Sequence, residues 1–200
     1  MPSVSHLYQE MQAFFAPLWP GEDKPLVFGE GNAANPPLML IGEAPGETEV
    51  IKRRPFVGKA GKNLDEFLTL MDMKREEIYI SNVVKIRPTE VGPTGRTRNR
   101  APSKEELALF TPFLLREIAL VKPKVLVTLG NVPLKALINK KITIGDCHGT
   151  LMETPSGVPL FALYHPASII YRRALLPVYE GDVLTLKELM QKGKLTFEPR

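Results

Sequence analysis

The sequence predicts an α/β fold with a mainly parallel, four-stranded central sheet, and two patterns carry this prediction. Four short apolar runs are typical of buried strands, at residues 37–42, 77–84, 124–130 and 159–165. Helical periodicity fills the stretches between them, so strands and helices alternate along the chain. In such sheets a ligand binds outside the carboxyl ends of the strands, so a site is expected in the residues that follow each run.

The predicted helices account for most of the remaining chain. Ser103 and Glu106 have the spacing of a capping box and open a long helix, which Pro123 ends. Apolar residues also recur at helical spacing in four further segments, residues 4–15, 59–71, 132–138 and 176–191.

Composition limits the class of protein. With 200 residues, of which 44% are hydrophobic, we expect one domain over residues 1–200, with residues 1–30 as a helix and arm packed on it. No run of eighteen apolar residues occurs, so we expect neither a transmembrane helix nor a membrane partner. The N-terminus lacks the basic start and small-residue cleavage site of a signal peptide, and we expect a cytoplasmic monomer.

Charge and cysteine content narrow the possible partners and cofactors. Cys147 is the only cysteine, which excludes a disulfide and a four-thiolate metal site within one chain. A net charge of +4 and a pI of about 9.1 suit a nucleic-acid partner. Two groups of arginines lie in segments predicted as loops or loop-to-helix regions and could contact nucleic acid. The alternative for both groups is ordinary solvated surface charge. The first group is Arg87, Arg96, Arg98 and Arg100, and the second is Arg172 and Arg173.

Polar motifs follow the predicted strands. They are GEAPGE from residue 42, NVVKIRP from residue 82, GN from residue 130 and HPAS from residue 165. A glycine-rich turn such as GEAPGE is weak evidence alone, since many α/β enzymes have one. RPFVGKAG, at residues 54–61, adds an aromatic side chain in a loop before a helix, and Phe56 there could either stack on a flat heterocycle or pack in the core.

Taken in this order and spacing, GEAPGE, RPFVGKAG, NVVKIRP and YHPAS resemble the fourth family of the uracil-DNA glycosylase superfamily, the thermostable iron–sulfur type. The match spans roughly residues 28–182. The resemblance implies a three-layer α/β/α sandwich. It also implies a monofunctional DNA repair glycosylase that flips uracil out of single- or double-stranded DNA. Such an enzyme hydrolyses the N-glycosidic bond without a metal and leaves an abasic site.

The resemblance also implies roles for individual residues. Phe56 would stack on the flipped base, Asn82 would read its Watson–Crick edge, and His165 would donate a hydrogen bond to uracil O2. Residues 165–168, with residues 169–173, would form a loop that enters the minor groove. The turn that positions water and forms the base pocket would comprise Gly42, Glu43, Ala44, Pro45 and Gly46.

Two groups of charged residues complete the predicted site. Glu43 and Glu47 are both candidates for the carboxylate that activates water, and the sequence does not choose between them. The DNA-binding candidates combine basic side chains with one hydroxyl after the last strand: Lys59, Lys85, Arg87, Arg96, Arg98, Arg100, Ser168, Arg172 and Arg173.

The chemistry of uracil agrees with these roles. An amide such as Asn82 can accept from N3–H and donate to O4, whereas cytosine would present an amino group to the amide donor. A donor at O2 stabilises the negative charge that develops on the departing base. The alternatives are structural: Asn82 could cap a strand end, and a lone histidine after a strand usually has a structural role.

The sequence departs from the iron–sulfur family at the cluster. Four cysteines hold it in that family, but here the N-terminal region has none, and Ile86 and Phe110 stand at two of the expected positions. We therefore expect no cofactor and no metal, with apolar packing fixing the arm and loop instead.

Three other functions stay open. They are a glycosylase for hypoxanthine or xanthine, a catalytically weak DNA-binding relative, and an unrelated nucleotide-binding protein. The last lacks support, because the chain has neither a Walker motif nor a full GxGxxG pattern.

Overall fold

The centre of the fold is a set of four parallel strands, which short antiparallel strands extend at both edges. The structure is a computed structural model that describes residues 2–21, 23–138 and 141–195. The predicted domain limits at residues 1 and 200 lie outside these residues. The sheet strands are β1 (Glu30–Gly31), β2 (Met39–Gly42), β3 (Tyr79–Asn82), β6 (Leu126–Leu129), β7 (Leu151–Glu153) and β8 (Pro159–Leu163). A separate ribbon pairs β4 (Thr89–Val91) with β5 (Thr97–Asn99).

The strand order β1-β3-β2-β6-β8-β7 confirms the predicted α/β class and corrects the number of strands. Within the described residues the sheet has six strands, so the prediction of four is wrong. The four predicted strands form the parallel centre, and β1 and β7 are antiparallel edges. These edges are two and three residues long, which is too short for an apolar pattern to be visible in the sequence.

Helices cover both faces of the sheet, as the predicted sandwich requires. The helices are α1 (Val4–Phe15), α2 (Glu47–Lys52), α3 (Lys59–Met71), α4 (Lys104–Val121), α5 (Asn131–Leu137), α6 (Ile144–Cys147), α7 (Pro166–Tyr171) and α8 (Leu176–Gln191). The capping box of Ser103 and Glu106 is present at the start of α4. Among the described residues, no helix has the length and apolar character needed to cross a membrane.

Side chains alternate between the two faces of the sheet along each strand, and this alternation forms two hydrophobic cores. In β2, Met39 and Ile41 face the core beneath α1 and α4, whereas Leu40 faces the core beneath α3 and α8. In β8, Leu160 and Phe161 divide between the two cores in the same way. Because successive side chains of a strand point to opposite faces, a central strand is mostly apolar on both faces.

The direction in which successive strands are added to the sheet reverses at β2. From β2 the chain crosses through α3 to β3 on one side, and then returns through α4 to β6 on the other side. Right-handed crossovers in opposite directions place α3 and α4 on opposite faces. The carboxyl end of β2 is therefore a topological switch point, where open α/β sheets bind ligands.

Two segments predicted as loops or loop-to-helix regions have regular structure. The arginine-rich segment forms the β4–β5 ribbon, and the segment after His165 forms α7 and a short 3-10 turn at Arg173–Leu175. The ribbon corrects the prediction for the arginine-rich segment, whereas the helix after His165 agrees with the predicted loop-to-helix region. Pro166 occupies the first turn of α7, where proline is tolerated because its missing N–H would have no helical partner.

Aromatic side chains attach the N-terminal segment to the domain. Phe15, at the end of α1, stacks on Phe110 of α4 with ring centroids 4.3 Å apart and on Trp19 at 5.5 Å. Phe110 and Ile86 are both buried in the same core. Hydrophobic packing through Phe15 and Phe110 therefore joins α1 to α4, and Ile86 belongs to the same core.

We expect Phe15→Ala to lower the free energy of unfolding by about 3–5 kcal/mol, because it removes a buried ring from a close-packed aromatic stack. Phe14→Ala is the matched control, since the neighbouring ring is 46% exposed and Phe15 is 2% exposed. The control should cost about 1 kcal/mol, the contribution of its ring contacts. Denaturant unfolding of the two variants measures both values, and equal losses would contradict this account of the arm.

Candidate functional site

A cavity of about 680 Å³ opens at the switch point, at the carboxyl ends of the parallel strands. Its volume lies within the range of roughly 300–1,000 Å³ that is usual for small-molecule sites. The turn after β2, the loop before α3, the end of β3 and the start of α7 all contribute to its wall. The predicted site residues that line it are Glu43, Ala44, Pro45, Gly46, Glu47, Phe56, Lys59, Asn82, Arg87, Arg100 and His165.

Close approach of three segments forms the floor of the cavity. A Cβ at Gly42 would lie 2.4 Å from Asn82 Oδ1 and 2.5 Å from the Phe56 ring, so only glycine fits there. The next residues continue alongside β3, since Val83 N–H and Val84 N–H donate to the Gly42 and Glu43 carbonyls at 2.9 and 3.0 Å. The turn therefore lies directly against both the Asn82 amide and the Phe56 ring.

Phe56 both belongs to the core and borders the cavity. It is buried, and its φ of 51° lies in the left-handed region, which is strained for a bulky residue. Arg75 donates hydrogen bonds to the Pro55 and Phe56 carbonyls, and these bonds hold the loop in place. The two alternatives for Phe56, core packing and a stacking surface, are thus compatible.

Asn82 presents an amide to the cavity from the end of β3. The residue is buried, and its Oδ1 is directed towards the Gly42 and Phe56 side of the cavity. Within the described part of the chain, the side-chain amide makes no hydrogen bond to another protein group. A buried amide without protein partners is available to a ligand that satisfies it.

His165 supplies a second polar group. As the N-cap residue of α7, its Nδ1 accepts a hydrogen bond from Ala167 N–H at 3.1 Å. In the neutral ring the proton is then on Nε2, which is left as a donor. Burial lowers the pKa of His165, so the ring is neutral at neutral pH. Its centroid is 6.4 Å from that of Phe56.

The two predicted carboxylates differ in their surroundings. Glu43 is half-buried at the cavity wall, and desolvation raises the pKa of its carboxyl. The Glu47 side chain is 69% exposed and accepts a hydrogen bond from Arg87 at 3.1 Å. Both carboxylates line the cavity, but Glu43 is the more buried of the two, whereas Glu47 is engaged with Arg87 at the exposed rim.

Glu49 is a cavity residue that the sequence did not single out. Its Oε1 accepts hydrogen bonds from Val57 N–H at 3.1 Å and Gly58 N–H at 2.7 Å. These bonds attach the loop that contains Phe56 to α2. The sequence did not single out Glu49 because α2, a helix of six residues, is too short to be predicted from its periodicity.

The predicted DNA-binding residues occupy three kinds of position. Lys59 and Arg87 line the cavity, and Asn99 of β5 accepts from Arg87 Nε at 2.7 Å. Ser168 is half-buried in α7. The exposed members are Arg96 and Arg98 on the ribbon, the latter paired with Glu90 at 2.9 Å, and Arg172 and Arg173 after α7.

Two of the predicted DNA-binding residues make hydrogen bonds within the fold. Lys85 is 1% exposed, so it has no surface to offer a phosphate, and the prediction that it contacts DNA is wrong. Arg100 lines the cavity, but its guanidinium donates to Glu106 twice at 2.7 Å and to the Thr89 and Ala101 carbonyls. Those bonds hold the ribbon to the start of α4.

Lys85 is the cation of a buried polar network behind the cavity. Its Nζ donates to Glu117 Oε2 at 2.7 Å, to the Asn82 carbonyl at 2.7 Å and to Ser81 Oγ. Tyr8 of α1 and Tyr79 also donate to Glu117. Burial, and then the negative charge of Glu117, raise the pKa of both tyrosines, which keep their protons.

The residues present do not fit a four-thiolate iron–sulfur cluster. Cys147 is buried in α6, its Sγ donates to the Thr143 carbonyl at 3.1 Å, and desolvation raises its pKa. As predicted, it is a buried thiol. Over residues 2–21, 23–138 and 141–195, no group of three or more His, Cys, Asp or Glu side chains could hold a metal ion.

Fold and cavity together define the class: an α/β protein with a ligand pocket at the switch point of a parallel sheet, whose wall carries an aromatic ring, an amide and a neutral imidazole. The family model of the uracil DNA glycosylase superfamily matches residues 28–184. The chain belongs to that superfamily, which confirms the resemblance seen in its motifs.

Three relatives, each named a type-4 uracil-DNA glycosylase, are similar over most of their length. The protein of Thermotoga maritima is 37% identical over 170 residues, 84% of each chain. That of Archaeoglobus fulgidus is 35% identical over 167 residues, 80% of each chain. That of Saccharolobus solfataricus is 34% identical over 183 residues, 88% of this chain and 81% of the relative.

We expect Lys85→Met to lower the free energy of unfolding by about 3–5 kcal/mol, because the substitution leaves Glu117 charged, buried and unpaired. Adding Glu117→Gln should recover part of the loss, since an amide keeps an acceptor for the hydroxyls without the charge. Lys62→Met, at an exposed position of α3, is the control. Thermal and denaturant unfolding measure all three, and a double variant less stable than Lys85→Met would contradict the charge argument.

Proposed function

We propose that this protein is a uracil-DNA glycosylase: it flips uracil out of DNA into the cavity and hydrolyses the bond between the base and the sugar. The observation that carries the proposal is the convergence of Asn82, Phe56 and His165 on one cavity at the switch point. A base within a duplex cannot reach such a pocket, and its extrusion costs a few kcal/mol. Membership of the superfamily and the type-4 relatives support the same reaction.

Recognition of the base rests on Asn82 and Phe56. The amide accepts from uracil N3–H and donates to O4, and the ring of Phe56 supplies an apolar face for the heterocycle. Burial of Asn82 makes the recognition selective. A base that cannot pair with the amide leaves it without hydrogen bonds from either the base or water, and this lowers the affinity for that base.

Bond cleavage depends on stabilising two opposite charges. As the glycosidic bond breaks, the base becomes anionic and the sugar gains oxocarbenium character. His165 Nε2–H donates to O2 and stabilises the anion, and the hydrogen bond at Nδ1 keeps the ring in the tautomer that can donate. Glu43 orients the attacking water and opposes the positive charge on the sugar.

DNA is held by the basic residues around the cavity mouth. We assign phosphate contacts to Lys59, Arg87, Arg96, Arg98, Arg172 and Arg173, with Ser168 as a hydroxyl donor at the start of α7. Phosphate contacts position the strand and carry no base information, so discrimination between bases stays with Asn82.

We expect His165→Ala to lower the rate of uracil excision by roughly 10²–10³-fold, the loss usual for one preorganised donor, with a much smaller effect on DNA binding. Single-turnover assays on uracil-containing single- and double-stranded oligonucleotides, developed by alkaline cleavage, measure it. His6→Ala, exposed on α1, is the control. A rate within about twofold of the parent protein, judged against the same expectation, would make His165 structural.

We expect Asn82→Asp to abolish or redirect the choice of base. The carboxylate keeps an acceptor for N3–H, loses the donor for O4 and can accept from the amino group of cytosine. An excision panel with uracil, cytosine, hypoxanthine and xanthine measures the change. Asn32→Asp, outside the cavity, should excise as the parent does, and unaltered uracil excision by Asn82→Asp would show that Asn82 does not read the base.

We also propose that this glycosylase works without an iron–sulfur cluster. One cysteine cannot replace four thiolates, and Ile86 and Phe110 fill two of the expected positions with packed apolar groups. The protein purified from iron-supplemented cells should be colourless and free of stoichiometric iron while excising uracil. Iron by elemental analysis together with a matching absorbance band would contradict this.

A further inference from the structure

A second, smaller cavity lies between the N-terminal segment and the end of α2. Its volume is about 180 Å³, and part of its wall is the aromatic stack that joins α1 to α4. The lining residues that matter here are Gln12, Phe15, Trp19, Lys24, Leu26 and Arg53.

The chemistry of this cavity favours an anion. Lys24 and Arg53 both line it, and Lys24 Nζ lies 5.0 Å from the centroid of the Trp19 ring. Arg53 is exposed, and among the described residues no carboxylate pairs with it. Lys52, also exposed, precedes it. A guanidinium offers two parallel N–H donors, the geometry that suits a phosphate.

Two connections along the chain and one between charged side chains place this cavity beside the base pocket. Arg53 directly follows α2, whose first residue, Glu47, lines the base pocket, and a helix of six residues is about 9 Å long. Next to Leu26, Val27 N–H donates to the Lys85 carbonyl at 2.7 Å, two residues before Arg87.

The third connection runs through Lys24. Its charge is close enough to Glu106 to help lower the pKa of that carboxyl, after the larger effect of Arg100. Arg100 itself lines the base pocket. The smaller cavity is therefore adjacent to the larger one along α2, along the arm and through the Glu106 side chain.

We propose that the smaller cavity binds a phosphodiester group of the uracil-containing strand, on one side of the flipped nucleotide. The six residues of α2 span about 9 Å, a length that corresponds to roughly three nucleotides at a rise of about 3.4 Å each. The inference rests on the proposed function, because it takes the strand in the base pocket as the source of the phosphate. Arg53 supplies the paired donors, and Lys24 supplies a second positive charge above Trp19.

Arg53 also has a structural reason to be cationic, since it caps the C-terminus of α2 with a φ of 55°. The chain offers a matched control for this role. Lys122 caps α4 in the same left-handed conformation, with a φ of 53°, near the amino ends of β2 and β6, where Lys124 N–H donates to the Pro36 carbonyl. Any effect of helix capping alone is shared by the two positions.

Trp19 is the only tryptophan of the chain, so its fluorescence reports on the smaller cavity without a label. The test titrates the protein with single-stranded oligonucleotides that carry 2′-fluoro-deoxyuridine, which resists cleavage, at increasing distance from each end. The emission should change only when the strand extends about three nucleotides or more beyond the uracil on one side. Shorter strands should bind without changing it.

Arg53→Gln should weaken binding of the long strands and flatten the log–log salt slope by about 0.7, the value of one lost phosphate contact on single-stranded DNA. Binding of the shortest strands should be unchanged. Lys122→Gln should leave both the affinity and the slope as they are in the parent protein. An unchanged slope for Arg53→Gln, or a Trp19 emission that does not depend on strand length, would overturn the subsite.

Excision of deoxyuridine from the same oligonucleotide series separates this inference from the function on which it rests. Normal excision with no response at Trp19 or Arg53 would overturn the subsite alone. A protein that excises uracil from none of the strands would overturn the proposed function, and the subsite with it.

Discussion

The buried ion pair of Lys85 and Glu117 is the interaction on which the rest of the site depends. Both side chains are 1% exposed, and removing two charges from water is costly unless every donor and acceptor is satisfied. Here all three Lys85 donors have acceptors, and Glu117 accepts from Ser81, Tyr8 and Tyr79 as well. The network joins α1, β3 and α4, and one of its bonds ends on the carbonyl of Asn82.

The bond from Lys85 to the Asn82 carbonyl connects this buried network to the residue proposed to recognise the base. Tyr8 also accepts from Gly29 N–H at 3.0 Å, so the arm that leads into β1 meets the same network as the strand that carries Asn82. A Cβ at Gly29 would lie 2.7 Å from Glu117, which explains a glycine at this close approach. A displaced arm would leave a buried carboxylate short of donors, so the arm and the base pocket are stabilised together.

Desolvation controls the ionisable groups of the site. It lowers the pKa of His165, raises that of Glu43 and raises those of Tyr8 and Tyr79. Burial in each case favours the uncharged form. For His165 the sign is clear: its folded pKa lies below the ordinary value of about 6.5, so protonation in acid favours the unfolded chain and the site is most stable above that pH.

The sequence by itself determined the α/β class and the parallel centre of the sheet, because strands buried on both faces are mostly apolar and therefore stand out. It also placed the polar motifs after the strand ends, and the parallel arrangement then brought eleven of the predicted site residues to one pocket. The edge strands, α2 and α7 were decided only in the tertiary structure, since segments of two to six residues have too few positions for a periodicity to appear. The same holds for Lys85, which a local pattern assigned to the surface with the other basic residues. Its partner is Glu117, 32 residues away, and whether a charge is buried depends on such a partner rather than on its neighbours in the chain.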